Sequence, residues 1–276
     1  MAQINVGIVG YGFVGKAVAY GFQDQVVKIA DPLYFNSSTK DFVNGKFDVI
    51  FICVPTPMGE NGKINSSIVE QVIDELKHLD TILVLKSTVT PDIVARLAKE
   101  HGKKFVYNPE FLREATANRD FKYPTHHVFG GDPDTTNRLQ CLYEDYSICD
   151  YAPTFHVSPD EASFVKYGIN CFLASKVLFW NQFAEQCRNS GISYARVRDA
   201  ISGDPRIGDS HTKVPGTDGR HGFGGACFTK DTAALVNLFP EFTVLKETIR
   251  ANNKIRSQYE LDEREVAQHV TYEETV

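Results

Sequence analysis

At 276 residues the chain is long enough for two domains, at the usual roughly 100–200 residues each, and for a sizeable buried core. Hydrophobic residues make up 42% and charged residues 23%, which excludes the disordered and fibrous classes. With 29 Lys plus Arg against 35 Asp plus Glu, the net charge of -6 excludes a broad basic footprint for nucleic acid or an anionic lipid surface.

In chain order, the segments 4–9, 26–30, 48–54, 81–85, 104–107 and 126–129 read as strands. They are short, β-branched or aromatic, and bounded by Gly, Pro, Asn or Asp. Segments 14–22, 67–79, 92–100 and 133–143 carry apolar residues at three- and four-residue spacing and read as helices. This alternation predicts an α/β fold: a doubly wound, Rossmann-type parallel sheet over residues 1–157, followed by a mainly helical domain. The helical part, 158–256, opens with a long helix over 159–189. On it Phe164, Val165, Ile169, Phe172, Leu173, Leu178, Phe179 and Phe183 form a wide apolar surface, so the helix is either buried within one chain or shared with a second copy. Residues 202–225 hold seven glycines and two prolines, a long loop of the kind that is usually functional. Residues 257–276 are charged and read as a solvated tail, unless Leu261, Val266 and Val270 dock a short helix.

No window approaches the ~18 apolar residues of a membrane span. The start, MAQINVGIVGYG, shows no basic segment or cleavage site, and the expectation is a cytoplasmic protein. Six cysteines without a C-x-x-C pair suggest neither a disulfide framework nor zinc, and no metal is expected. Each cysteine is, before context, a small buried hydrophobe. His126 and His127 lie in a strand reading without metal-ligand company, and Trp180 is core or interface.

INVGIVGYGFVG, residues 4–15, places a G-x-G-x-x-G where a strand meets a helix. Gly10 makes the tight turn, Gly12 lets backbone approach a pyrophosphate, and Gly15 lets helix and strand pack closely. The helix start at Phe13 and Val14 offers N–H groups to phosphate. Asp31, 21 residues after Gly10, closes the second strand where a carboxylate accepts ribose hydroxyls and repels a 2′-phosphate, which favours NAD over NADP. Val54, Pro55 and Thr56, then Ser87 and Thr88, sit at strand C-terminal ends, the ligand side of such sheets. The plainer readings are prolines that punctuate a strand end and Thr88 as the cap of the helix beginning near Pro91.

Three further segments carry polar residues that the fold does not require. Asn108-Pro109-Glu110-Phe111-Leu112-Arg113-Glu114-Ala115 follows a strand. Lys166 and Asn170 stand one helical turn apart. Gly222-Phe223-Gly224-Gly225-Ala226-Cys227-Phe228-Thr229-Lys230-Asp231 presents a cysteine at a helix start, where the dipole lowers a thiol's pKa. The plainer readings are a polar stripe for Lys166 and Asn170, a buried small residue for Cys227, and pairing with Arg113 or helix capping for Glu110 and Glu114. Lys230 either binds substrate or structures the loop.

With these residues in view, the chain closely resembles the UDP-glucose/GDP-mannose dehydrogenase family. GYGFVG, VPTP, STV, NPEFLRE, FVKYGINCFLA, DPRIG and GFGGACFTKD occur in the family's order across about residues 3–250, and look most like the members that oxidise UDP-glucose. The resemblance implies a four-electron oxidation of a primary alcohol to a carboxylate with two NAD molecules in succession. It makes Cys227 the nucleophile, Lys166 and Asn170 the oxyanion donors, and Asp231, with Lys166, the group that moves protons through water. Thr88, Glu110 and Glu114 surround the reacting carbon and its hydrolytic water. NAD falls to Gly10, Gly12, Phe13, Val14, Gly15, Asp31, Val54, Pro55, Thr56, Ser87, Thr88 and Lys230. The sugar nucleotide falls to Glu110, Phe111, Leu112, Arg113, Lys166, Asn170, Phe223, Gly224 and Cys227.

The chemistry asks for the same parts. Hydride departure needs the hydroxyl proton removed, thiolate addition to the aldehyde permits a second oxidation to a thioester, and N–H donors steady the oxyanion. The expected partners are a nucleotide sugar, UDP-glucose first, and a second copy of the chain, with no nucleic acid or membrane. GDP-mannose or a UDP-N-acetylhexosamine is the alternative substrate. Residues 209–221 are longer than in many members and carry Lys213 and Arg220, for phosphate or solvent, and Thr229 replaces a proline. The family typically continues into a second α/β domain that grips the nucleotide, for which 276 residues leave no room. Either a separate subunit completes the pocket, or the chain is a truncated NAD-binding interaction protein with little activity.

Overall fold

The computed structural model describes residues 3–59 and 62–272. The chain divides into two compact units, one of residues 1–56 and 65–166 and the other of 57–64 and 167–276. The division falls inside the long helix rather than at 157/158.

The first unit is a seven-stranded sheet with helices. Its strands are β1 (Asn5–Val9), β2 (Val26–Ala30), β3 (Val49–Ile52), β4 (Ile82–Leu85), β5 (Phe105–Tyr107), β6 (His127–Gly131) and β7 (Thr154–Val157). Its helices are α1 (Phe13–Gly21), α2 (Ser67–Leu76), α3 (Pro91–His101), α4 (Ala117–Lys122) and α5 (Pro133–Tyr146). The strand order is β2-β1-β3-β4-β5-β6-β7, so the chain reverses direction across the sheet between β1 and β3, the switch point at which such sheets bind ligands. β3 (VIFI) and β4 (ILVL) are buried throughout because helices cover both faces of a parallel sheet. Val6, Ile8, Phe22, Phe51, Val84, Val106, Phe129 and Leu139 belong to the core beside them.

The sheet departs from the expected all-parallel arrangement at one place. β6 runs antiparallel to β5, and β7 pairs parallel with β6. A parallel crossover needs an element that recrosses the sheet, and the six residues of α4 span only about 9 Å. Instead α4 packs tightly against α1: a Cβ on Gly21 would lie 1.9 Å from Phe121. β7 lacks a sequence signature because it is an outer strand with no fully buried position.

The second unit contains the remainder of α6 (Pro159–Asn189), then α7 (Tyr194–Ser202), α8 (Ala226–Leu238), α9 (Thr243–Arg256) and α10 (Glu263–Ala267). Tyr167, Cys171, Ala234, Leu235, Val236, Leu245 and Ile249 form its core, with Ile64 packed against them. Residues 57–64 belong here through contacts such as the Met58 N–H on the Gln268 carbonyl at 3.0 Å. Trp180 is 2% exposed and so is core, while Phe172 and Phe179 on α6 are 69% and 58% exposed.

The solvated-tail reading of 257–276 is corrected over the described residues, up to 272. Asp262 caps α10, its carboxylate accepting the N–H groups of Arg264 and Glu265, and Glu265 and Val270 are buried. The ordering comes from a buried charge, which hydropathy spacing does not register. Residues 273–276 lie outside the described residues. Among the described residues, no helix is long and apolar enough to cross a membrane.

Candidate active site

In the first unit, the glycine turn after β1 has the geometry a phosphate cradle needs. Gly10 has φ +90°, and a Cβ there would stand 2.7 Å from the Cys53 carbonyl oxygen. A Cβ at Gly15 would stand 2.0 Å from the Gly10 oxygen, whereas at Gly12 nothing lies within 4 Å. Glycine is thus forced at the first and third positions by packing, and at the second leaves open space before α1, whose first residues are Phe13 and Val14. Asp31 is held in place: Oδ1 accepts the N–H groups of Leu33 (2.8 Å) and Tyr34 (3.1 Å), and Oδ2 that of Tyr11 (2.7 Å).

At the ends of β3 and β4, Val54 and Thr56 are buried and Pro55 is exposed. The Ser87 hydroxyl donates to the Val54 carbonyl at 2.7 Å and so ties the two strand ends together. Thr88 is half-buried and does not cap α3, whose N-cap is Thr90.

After β5, the Asn-Pro-Glu turn is held by residues that sequence reasoning missed. Lys86 is 5% exposed and donates to Asn108 Oδ1 at 2.8 Å; the Tyr143 hydroxyl donates to the same oxygen at 2.9 Å. Asn108 Nδ2 donates to the Val128 carbonyl at 3.0 Å. Burial pulls the Lys86 ammonium down to about 8, and burial also pushes the nearby Cys53 thiol up to about 12. The available signal was a lysine directly after the buried run ILVL, since lysine is almost never buried without a partner.

This turn delivers Glu110 to Lys166. Lys166 Nζ lies 2.9 Å from Glu110 Oε1 and 2.6 Å from the Glu110 carbonyl oxygen, while Glu110 Oε2 accepts the Leu112 N–H at 2.7 Å. Lys166 Nζ also stands 5.6 Å from the centre of the Phe111 ring. The polar-stripe reading of Lys166 is therefore overturned: it is 4% exposed. Arg113 forks onto Asp120, at 2.6 and 3.0 Å. Glu114 is exposed and opens a short 3-10 turn, Glu114–Thr116.

In the second unit, Asn170 Nδ2 donates to Asp231 Oδ2 at 2.6 Å, and Lys230 Nζ donates to Asp231 Oδ1 at 2.6 Å. All three are buried, with Asp231 at 1% exposure. Lys230 thereby structures the start of α8. Cys227 lies in the first turn of that helix and is exposed. Burial, and then the Asp231 carboxylate, push the Cys171 thiol far up and keep it protonated. Phe223 is buried, its N–H donating to Asn252 Oδ1 at 2.8 Å and its carbonyl accepting from Asn252 Nδ2 at 3.0 Å. Gly224 is half-buried beside it. Asn252 is thus a scaffold residue that the sequence did not single out. Arg220, expected at phosphate or in solvent, instead donates to the Glu260 carbonyl at 2.6 Å. Thr229, in the proline's place, lies 3.4 Å from the Tyr272 hydroxyl.

His127 is pulled down to about 4, chiefly by burial, and its Nε2 is 3.5 Å from Cys149 Sγ. Among the described residues, no group of three or more His, Cys, Asp or Glu is arranged to hold a metal.

Comparison with known proteins gives a consistent picture. Residues 27–147 match the NAD binding domain of the UDP-glucose/GDP-mannose dehydrogenase family, and residues 160–258 match that family's central domain. The chain is 36% identical over 225 residues to UDP-glucose 6-dehydrogenase YwqF of Bacillus subtilis, covering 75% of this chain and 48% of that protein. It is 34% identical over 238 residues to UDP-glucose 6-dehydrogenase of Rickettsia typhi, covering 81% and 53%. Among solved structures, a UDP-glucose dehydrogenase from the archaeon Pyrobaculum islandicum superposes with a TM-score of 0.79 at 28% identity, over 92% of this chain and 68% of that one. The chain spans about half the length of the curated relatives it matches.

Proposed function

Because the chain belongs to the UDP-glucose/GDP-mannose dehydrogenase family, we propose that it oxidises the C6 alcohol of a nucleotide sugar, UDP-glucose first, to a carboxylate through a thioester on Cys227. The observation that carries this reading is the start of α8. An exposed thiol stands in its first turn, and the buried Lys230–Asp231–Asn170 chain anchors the same helix.

The glycine turn fits NAD. It is open at Gly12, has no room for a side chain at Gly10 and Gly15, where backbone closes in, and ends at a helix start. In this reading Phe13 and Val14 offer backbone N–H groups to the pyrophosphate. Asp31 Oδ2, which accepts one N–H and keeps a second lone pair, receives a ribose hydroxyl. Val54, Pro55, Thr56, Ser87 and Thr88 line the cofactor from the neighbouring strand ends. When bound, NAD supplies the acceptor for the hydride that leaves C6 in each oxidation.

The remaining steps belong to the chain's own residues. A proton leaves the C6 hydroxyl for water directed by Asp231 and Lys166. The Cys227 thiolate then adds to the aldehyde carbon, and its electron pair becomes the C–S bond of a thiohemiacetal. Lys166 and the second Asn170 N–H steady the oxyanion; the first N–H is committed to Asp231. After the second hydride leaves, Glu110 and Glu114, with Thr88, direct the water that hydrolyses the thioester, releasing the carboxylate and regenerating the thiol. Phe111, Leu112, Arg113, Phe223 and Gly224 are assigned to the sugar nucleotide.

We also assign a homodimer through α6 and α7. The exposure of Phe172 and Phe179 and the absence of any buried residue on α7 support it.

The test is turnover by the purified full chain with NAD and, separately, UDP-glucose, GDP-mannose and a UDP-N-acetylhexosamine. The proposal expects a carboxylate product from UDP-glucose. Turnover confined to another sugar reassigns the substrate. NAD binding with no turnover on any sugar supports the interaction-protein reading, and turnover appearing only with an added polypeptide supports a separate subunit that completes the pocket.

A further inference from the structure

Four contacts converge on Glu265, a carboxylate in the segment that reads as tail. Its Oε1 accepts the Gly225 N–H at 2.9 Å, the Arg256 guanidinium at 3.1 Å and the Tyr272 hydroxyl at 2.5 Å. Its Oε2 accepts the Asp262 N–H at 2.9 Å. Glu265 is 0% exposed and Arg256 is 1% exposed. The guanidinium also reaches Asp218 at 2.7 Å, and lies 5.6 Å from the ring centres of both Tyr259 and Tyr272.

What these two side chains touch is the glycine collar of the cysteine. Gly225 is the N-cap of α8, with φ +76° and no side-chain cap bond. A Cβ on Gly224 would fall 1.9 Å from an Arg256 nitrogen, so the guanidinium occupies the space that a side chain would take. A Cβ on Gly222 would meet Asn252 Oδ1 at 2.7 Å. Of residues 222–225 only Phe223, which is buried, has a side chain; the three glycines are fixed by Asn181 of α6, Asn252 and Arg256 of α9 and Glu265 of α10. A buried ion pair is a poor source of stability compared with apolar residues of the same volume. Its value lies in fixing one geometry.

We propose that Glu265 and Arg256 are positioning residues for Cys227, making the segment after α9 a working part of the nucleophile's support. The inference rests on Cys227 being the nucleophile of the proposed function. Glu265 fixes the Gly225 peptide, and with it the first turn of α8, whose N–H groups and dipole stabilise a thiolate two residues on. Arg256 keeps the Gly224 backbone from collapsing or wandering.

The experiment uses the full chain with Cys141→Ser, which removes the other exposed thiol. Parent, Glu265→Gln, Arg256→Lys and a control, Val266→Ser, at an exposed position of α10, are compared. Three readouts are taken: the rate of Cys227 alkylation by iodoacetamide as a function of pH, kcat with KM for sugar, and thermal unfolding. The proposal expects the alkylation profile of Glu265→Gln and Arg256→Lys to move to higher pH. It expects kcat to fall about tenfold or more with KM nearly unchanged, and Val266→Ser to match the parent. Arg256→Lys keeps the charge but loses the flat fork, and it decides the matter alone if Glu265→Gln does not fold. Parental alkylation profiles and kcat, with only the unfolding temperature lowered, would overturn the proposal. If the parent turns over no sugar, the alkylation profiles still judge the positioning role, so the two readings fail separately.

Discussion

Lys166 and Glu110 form a buried ion pair, Nζ to Oε1 at 2.9 Å, with side chains 5% and 8% exposed. The lysine also holds the Glu110 carbonyl oxygen at 2.6 Å. The proposed oxyanion donor and the carboxylate proposed for the hydrolytic water are therefore coupled before substrate arrives. Breaking such a pair from one side leaves an uncompensated buried charge, typically at a cost of about 3–5 kcal/mol. Lys166→Met is expected to lose stability on that scale in denaturant unfolding, and adding Glu110→Gln should recover much of it. Turnover should fall in the single variant and stay low in the double variant. A double variant that recovers activity along with stability would contradict the catalytic roles.

Asp31→Asn is expected to weaken NAD binding about tenfold, roughly 1.4 kcal/mol, and to narrow the preference over NADP. The amide oxygen keeps the Leu33 and Tyr34 N–H groups while the amide nitrogen faces the Tyr11 N–H, so thermal unfolding of the variant is compared with the parent to separate loss of the ribose contact from loosening of the turn. Isothermal titration with both cofactors checks this, and unchanged affinities would remove the ribose role.

Lys86 gives a pH signature. Its ammonium is drawn by burial from 10.5 down to about 8 in the folded chain. Between those values the unfolded chain holds a proton that the folded one has released, so the Lys86 contribution to stability rises with pH from about 8 to 10.5. Lys86→Met lacks this contribution. Unfolding free energies of the two proteins over that range should therefore diverge in favour of the parent as pH increases, and parallel curves would show that Lys86 does not titrate there.

Glu265 shows the same sign in the acid range. Burial pushes its carboxyl up, but bonds from the Tyr272 hydroxyl, the Asp262 and Gly225 N–H groups and the Arg256 charge outweigh this and hold it below 4.5. Its contribution is present above about pH 4.5 and is lost as pH falls through the lowered folded value. The stability gap between parent and Glu265→Gln should be constant near neutrality and close in acid. A gap that persists unchanged in acid would contradict an ionised Glu265.

If α6 and α7 pair two copies, Phe172→Glu combined with Phe179→Glu should shift the sedimenting species from twice the chain mass to once. A wild-type chain that sediments as a monomer would remove the homodimer assignment.

Much of this architecture was legible because its causes are local. β3 and β4 are continuous apolar runs, the glycine turn has a fixed spacing, and α6 begins at a proline and ends near Asn189, as its pattern indicates. The reversal at β6 was not legible, because it depends on how far the short α4 reaches rather than on any strand's own residues. The partners were hidden for a related reason. Lys166 finds Glu110 across 56 positions, Gly225 finds Glu265 across 40, and Arg113 turns to Asp120 rather than to a neighbouring glutamate. Residue type marked the candidates, whereas burial and pairing, set by packing, decided what each one does.

Whether Cys227 carries the sugar as a thioester is read by mass analysis of the Cys227 peptide after one turnover with UDP-glucose and NAD. Glu110→Gln, in which hydrolysis is expected to be slowed, gives the adduct time to accumulate. A thioester on Cys227 gives a mass increase in Glu110→Gln equal to the carboxylic acid form of the oxidised nucleotide sugar less one water, and Cys227→Ala gives no carboxylate product at all. An unmodified Cys227 together with normal carboxylate formation by Cys227→Ala would contradict the thioester.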